Sequence, residues 1–328
     1  MKFGSVPVEE ALGAILAHSE SVPGKRFRKG IMLEREHIDV LRESGIAEVE
    51  VARLDKDDVH ENPAAEILAR ALHEGSEGIR QTAPFTGRVN LIAESPGVVV
   101  VEKSKVNSSN LTDPMITIAT VPCYHQIHGG GMVATVKIIS YAVGKSAILD
   151  AADKARGAIR LARPVVSTAS LIVTDIPGGP GLKGVAAIEA RVAGLGVTLV
   201  ETVRIAHEKN ILAGEMQKAK GEVILILTGS ATSDIADTAP EALRMAGGTV
   251  ERFGMPVDPG NLLFLGSLEG KSVIGLPGSA RSPVLHGADW ILSRVACGIQ
   301  TESGDIAALG VGGLLKEIPT RPQPRRGK

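Results

Sequence analysis

The chain has 328 residues, length for about two domains, and its 44% hydrophobic and 22% charged content is ordinary for a globular protein with real cores. Lys and Arg total 36 against 37 Asp and Glu, so the net charge is −1 and the basic footprint of a nucleic-acid binder is missing. Aromatics are only 2%, which argues against a base-stacking surface. The 38 Gly and 18 Pro are scattered among apolar runs, a pattern of tight turns and not of disorder.

The apolar stretch Ala11–Ala17 follows Glu9 and Glu10, the wrong charge for a signal peptide, and is too short to span a membrane. Cys123 and Cys297 give no disulfide framework. The expectation is a cytoplasmic protein with neither a membrane nor a nucleic-acid partner.

In chain order, the front half predicts a helix over Val8–Leu16, a helix over Arg35–Ser44 ended by Gly45, and a strand over Glu48–Arg53. Another helix is expected over Asn62–His73, with Pro63 at its first position. Residues 83–145 read as β-rich, with strands at Gly87–Ala93, Val98–Glu102, Met115–Thr120 and Met132–Ala142. A helix near Lys145–Ala162 closes an α+β region expected over 1–162, with two subdomains split near 80 as the alternative.

The second half alternates. Strands Ala169–Thr174, Val197–Val203, Glu222–Thr228, Thr249–Arg252 and Ser272–Leu276 are interleaved with helices Val185–Ala193, Lys209–Lys220, Pro240–Ala246 and Pro283–Val295. That rhythm predicts an α/β domain over 163–318, a mostly parallel sheet covered on both faces in three layers. The tail 319–328, rich in Pro and Arg, is expected to be disordered.

Ligands of such sheets sit beyond the carboxyl ends of the strands, which directs attention to four loops. Gly179, Gly181 and Gly184 make a GxGxxG between a strand and a helix, with Glu201 on the next strand as a candidate ribose partner. Pro180 removes an amide from that turn, so a generic anion loop and a plain structural turn stay open beside a NAD-binding oxidoreductase. The second loop follows an apolar strand and presents Gly229, Ser230, Thr232, Ser233, Asp234 and Asp237. Its hydroxyls suit phosphate oxygens or pterin edges, and Asp237, with Asp234, suits Mg²⁺ bridging to a phosphate. The bland alternative is capping, since Thr238–Glu241 has the spacing of a capping box. The third loop contains Pro259, Gly260 and Asn261 in a reverse turn. The fourth carries Pro277, Gly278, Ser279, Arg281 and Ser282, with Ser282 expected to cap the last long helix and Arg281 offering a phosphate-binding fork.

Thr228-Gly-Ser-Ala-Thr-Ser-Asp…Asp237, Val257-Asp-Pro-Gly260 and Gly275-Leu-Pro-Gly278, in that order, resemble the molybdopterin-binding domain. This is the domain shared by molybdopterin adenylyltransferases, molybdenumtransferases and gephyrin. The resemblance covers residues 165–300, and the front half looks like that of stand-alone molybdopterin-binding proteins. It implies that a pterin phosphate, or its nucleotide-linked form, lies across these loops. It carries Gly229, Ser230, Ser233, Asp237, Pro259, Gly260, Pro277 and Gly278 over as site positions.

Ser230 replaces the second Gly of the usual pair, Asn261 stands where molybdenumtransferases have Lys, and Ser279-Ala280 replaces Asn-Pro. The missing charge inclines the expectation toward a binding or carrier role in molybdenum cofactor biosynthesis. An active Mg²⁺-dependent adenylyl- or molybdenum transferase is the alternative. A homo-oligomer and a cytidylyltransferase or molybdoenzyme partner are further expectations.

Two weaker clusters complete the candidates. Cys123-x-His125-x-x-His128 has soft-metal donors, though a turn explains it more simply. Thr86, Arg88 and Asn90 either reach a ligand or lie on the solvated face of a strand.

Overall fold

A computed structural model describes residues 1–315; the tail expected to be disordered lies outside the described residues. The chain divides into two compact units, the first comprising Met1–Glu94, Val99–Cys123 and Gly129–Leu161, the second Ser95–Val98, Tyr124–His128 and the chain from Ala162 onward.

In the first unit, strand Lys2–Pro7 pairs antiparallel with Glu48–Arg53, which also pairs with Ile15–Leu16. Val8, Leu16, Leu33, Ile38, Leu41 and Val51 form a core beneath helix Arg35–Glu43. A four-stranded antiparallel sheet runs in the order Ile116–Thr120, Met132–Ile138, Arg88–Ala93, Ile79–Gln81. The helix expected over Val8–Leu16 is a single 3-10 turn, Val8–Glu10, followed by the short strand. Gly13 turns the chain at φ 75°, and buried Ile15 and Leu16 pair across the sheet instead. The helix Lys145–Ala155 likewise stops at Gly157, φ 62°, before strand Ile159–Ala162. Helix Lys103–Asn110 was not expected: it buries only Val106 and Ser109, too faint a stripe to read.

Elements of the second unit are numbered within it. They are β1 (Thr168–Asp175), α1 (Val185–Ala193), β2 (Thr198–Ala206), α2 (Lys209–Met216), β3 (Val223–Leu227), α3 (Thr238–Met245) and β4 (Thr249–Phe253). There follow β5 (Phe264–Leu268), β6 (Lys271–Leu276), α4 (Gly287–Ala296) and α5 (Ser303–Ala307). The six strands form one sheet in the order β2-β1-β3-β6-β5-β4. The first four are parallel, while β5 and β4 join antiparallel.

The sequence of β3, Val-Ile-Leu-Ile-Leu, explains the layering. Strand side chains alternate between faces. Val223, Leu225 and Leu227 enter a core with Ile188 and Val192 of α1 and Ile291 and Leu292 of α4. Ile224 and Ile226 enter the opposite core with Leu212 and Met216 of α2 and Leu243 of α3. A strand buried on both faces between helices is what a continuous apolar run predicts, and the fold is the expected three-layer α/β arrangement. In register, Asp175 meets Ala206, Val173 meets Leu227 and Leu227 meets Leu276, so the loops after β1, β2, β3 and β6 leave along one rim.

Candidate functional site

The loop after β3 is built on a buried hydroxyl. Thr174, fully buried near the end of β1, accepts the Gly229 amide on Oγ1 at 3.0 Å. Any Cβ at position 229 would lie 2.8 Å from the Thr174 carbonyl oxygen, so the close approach of the two strand ends requires glycine there.

Asp237 closes the same loop. Its Oδ2 accepts the Ser233 amide at 2.9 Å and its Oδ1 the Thr238 amide at 2.6 Å, making Asp237 the N-cap of α3. The expected capping box is thereby corrected: Thr238 is the first helical residue, and Glu241 pairs with Arg244 at 2.8 Å. Burial pushes the Asp237 carboxyl up, but the amides of Ser233 and Thr238 and the charge of His207 outweigh it and hold it below the ordinary carboxylate range. Asp234 accepts the Ala236 amide at 2.8 Å, a local turn. Ser230 and Ser233 are exposed and Thr232 is buried, while the amides of Ser230, Ala231 and Thr232 meet no acceptor among the described residues.

Arg281 stitches three loops together. Its guanidinium donates to the carbonyls of Gly181 at 3.1 Å and Thr228 at 3.0 Å, and to that of Lys183. Burial lowers its proton affinity somewhat, against the pull of Asp175. As placed, the fork faces carbonyls and not an anion. Gly184, at φ 90°, is where the first loop passes the Arg281 backbone; a Cβ there would sit 2.6 Å from the Arg281 Cα.

The fourth loop is not yet helix. Gly278–Arg281 is a 3-10 turn, Ser282 is its C-cap, and α4 begins at Gly287 with His286 as N-cap, which corrects the expected start at Pro283. Arg191 of α1 draws this segment out: its guanidinium donates to the carbonyls of Ala280 (2.8 Å), Ser282 (2.6 Å) and Val284 (2.9 Å) and to Asp289 (2.5 Å). Ser279 Oγ and His286 Nε2 lie 2.7 Å apart, a second tie. The third loop joins it, since the Gly287 amide donates to the Pro259 carbonyl at 2.9 Å and buried Gly260 packs on Gly287. Asn261 is occupied inside the turn, its Nδ2 donating to the Met255 carbonyl at 3.3 Å.

At the β1–β2 end of the rim lies an open cavity of about 510 Å³ lined by Asp175, Ile176, Pro177, Gly178, Gly179, Arg204, Ile205 and Ala206. Arg204 Nε donates to Asp175 Oδ2 at 3.0 Å, and the guanidinium holds the Asp175 carboxyl below its usual range. Thr174, Arg191, Arg204 and His207 were all missed as rim residues by sequence reasoning. Each acts on a partner far along the chain, and only a longer β2 would have placed His207 at a strand end.

Two expected alternatives meet geometry that does not support them. The strand carrying Glu201 runs on to Ala206, so Glu201 sits at the amino end of the sheet, in register with Ser170. There it accepts from Ser170 Oγ at 2.6 Å and the Lys220 amide at 2.8 Å, away from the glycines that follow Asp175. Among the described residues no group of three or more His, Cys, Asp or Glu could hold a metal ion, which covers Cys123, His125 and His128. At Asp237 each carboxylate oxygen accepts one amide, and Asp234 accepts the Ala236 amide. In the first unit, Arg88 is exposed and donates to Thr135 Oγ1 at 3.0 Å, and the Asn90 amide donates to Thr82 Oγ1 at 3.0 Å, both within the sheet framework.

Residues 5–53 match the model of a domain of unknown function (DUF8806). No curated protein matches the chain. Among solved structures, similarity is found to the molybdopterin biosynthesis MoeA protein from Pyrococcus horikosii at 16% identity and a TM-score of 0.32, covering 92% of this chain and 76% of that one. It is also found to a molybdenum cofactor biosynthesis protein from Pyrococcus furiosus at 10% identity and a TM-score of 0.26, covering 94% of this chain and 65% of that one.

Proposed function

We propose that the second unit binds molybdopterin, or a nucleotide-linked form of it, in the biosynthesis or handling of the molybdenum cofactor. The observation that supports this most is the open run of amides at Ser230, Ala231 and Thr232, beside the exposed hydroxyls of Ser230 and Ser233. Buried donors are almost always satisfied in proteins, and a run of free amides at a strand end, exposed at Ser230 and Ala231, is a ready anion cradle. Arg281 ties this loop to the glycine-rich loop, and the 510 Å³ cavity beside Asp175 adjoins the same rim. A phosphate on the amides with the ring system toward the cavity is the arrangement proposed.

The role is binding, with recognition by amides and hydroxyls. Magnesium and nucleotide chemistry are not needed for it. The test is to purify the full chain from a pterin-competent host and identify released ligand by oxidised-pterin fluorescence and mass spectrometry. A stoichiometric phosphorylated pterin is expected. Folded protein that carries none, and takes none up from a pterin-rich extract, overturns the proposal.

A further inference from the structure

His207 stands immediately after β2, at the rim. Its backbone amide donates to the Asp175 carbonyl at 3.0 Å, and its ring is half-buried with Nδ1 2.8 Å from Thr174 Oγ1. The same Oγ1 accepts the Gly229 amide at 3.0 Å. Thr174 is fully buried, so its hydroxyl proton must find an acceptor inside the protein. His207 Nδ1 is the acceptor at hand, and a neutral imidazole that accepts at Nδ1 carries its proton on Nε2. Nε2 meets no partner among the described residues. Burying a hydroxyl under the histidine therefore sets which ring nitrogen donates.

The neighbours decide what that donor is for. Each oxygen of Asp237 accepts an amide. Asp175 is neutralised by Arg204. Glu208 and Lys209, next along the chain, are both exposed. The His207 ring and the free amides at 230–232 thus flank Gly229 from two strands.

We propose that His207 is a ligand-positioning residue, donating from Nε2 to an anionic oxygen held by the amides of Ser230–Thr232. The identity of that anion as a pterin phosphate rests on the function proposed above; the donor geometry does not. A hydrogen bond to a charged oxygen corresponds to roughly a tenfold or greater change in affinity.

The experiment is nuclear magnetic resonance on the full chain, labelled in its histidine nitrogens and backbone amides, titrated with inorganic phosphate. His207 should show the Nε2-protonated tautomer, and Thr174→Val should shift it toward the other. Phosphate should move the Nε2 resonance together with the amides of Ser230–Thr232. His207→Gln, which keeps a donor, should hold phosphate within about threefold of wild type, while His207→Ala should weaken it by about tenfold or more. The amide spectrum of each variant reports whether it folds. Movement of the amides without His207, or an unchanged affinity in His207→Ala, overturns the inference and leaves pterin binding standing. Phosphate that moves neither overturns it too, and pterin release then tests the parent proposal separately.

Discussion

Asp237 shows how one side chain can look catalytic in a sequence and be occupied in a fold. It caps α3 with one oxygen and closes the preceding loop with the other. Its folded proton affinity is held below the usual carboxylate value, so its contribution to stability is present above the unfolded value of about 3.9 and lost as the pH falls through the lower folded one. Asp237→Ala is expected to cost about 1 kcal/mol at pH 7, as lost N-caps do. Thermal melts from pH 7 down to pH 2.5 should show the gap between wild type and variant closing at the acid end. A gap constant over that range would show that the cap carries no charge-dependent stability. The sequence pointed to this residue because an acid in a hydroxyl-rich loop after a buried strand suits either role. Which one it plays depends on whether Ser233 and Thr238 turn their amides inward. Thr174 and His207 gave no such signal: their meaning lies in a contact between residues 33 positions apart.

At the scale of elements, periodicity carried most of the information. The apolar run of β3 and the bounds of α1, Val185–Ala193, were legible because burial there follows directly from the pattern. The start of α4 was not. Pro283 is well suited to a first helical turn, but Arg191 holds the carbonyls of Ser282 and Val284 and keeps the chain extended to His286. A long-range arginine thus overrode a local preference, and in doing so shaped one of the candidate loops. The end of β2 was misjudged for a different reason: as an edge strand it only half-buries one face, alternating exposed and half-buried residues to its end at Ala206, so the pattern is shallow. The central strand offers the sharper test. Leu225 is fully buried and lies in register between Leu171 and Ile274. Leu225→Ala should cost about 2–5 kcal/mol in urea unfolding. A loss under about 1 kcal/mol would mean that the helices collapse into the space and that the sheet is not the rigid support of the rim.

For the molecule as a whole, the layered sheet is what lets dispersed residues act together. Four parallel strands end in register, so loops separated by as much as 100 residues are drawn to one edge and tied there by Arg281. That convergence is the physical content of the proposal that a phosphorylated pterin lies across them. The near-zero net charge suits such a site, since selectivity then comes from oriented local donors and not from a long-range field. Hydrogen exchange of the full chain, compared before and after removal of its released pterin, tests this most directly. Protection in the loaded protein should fall on residues 175–184, 228–238 and 277–282 together. Protection confined to one of these segments, or lying elsewhere in the chain, would contradict a shared site.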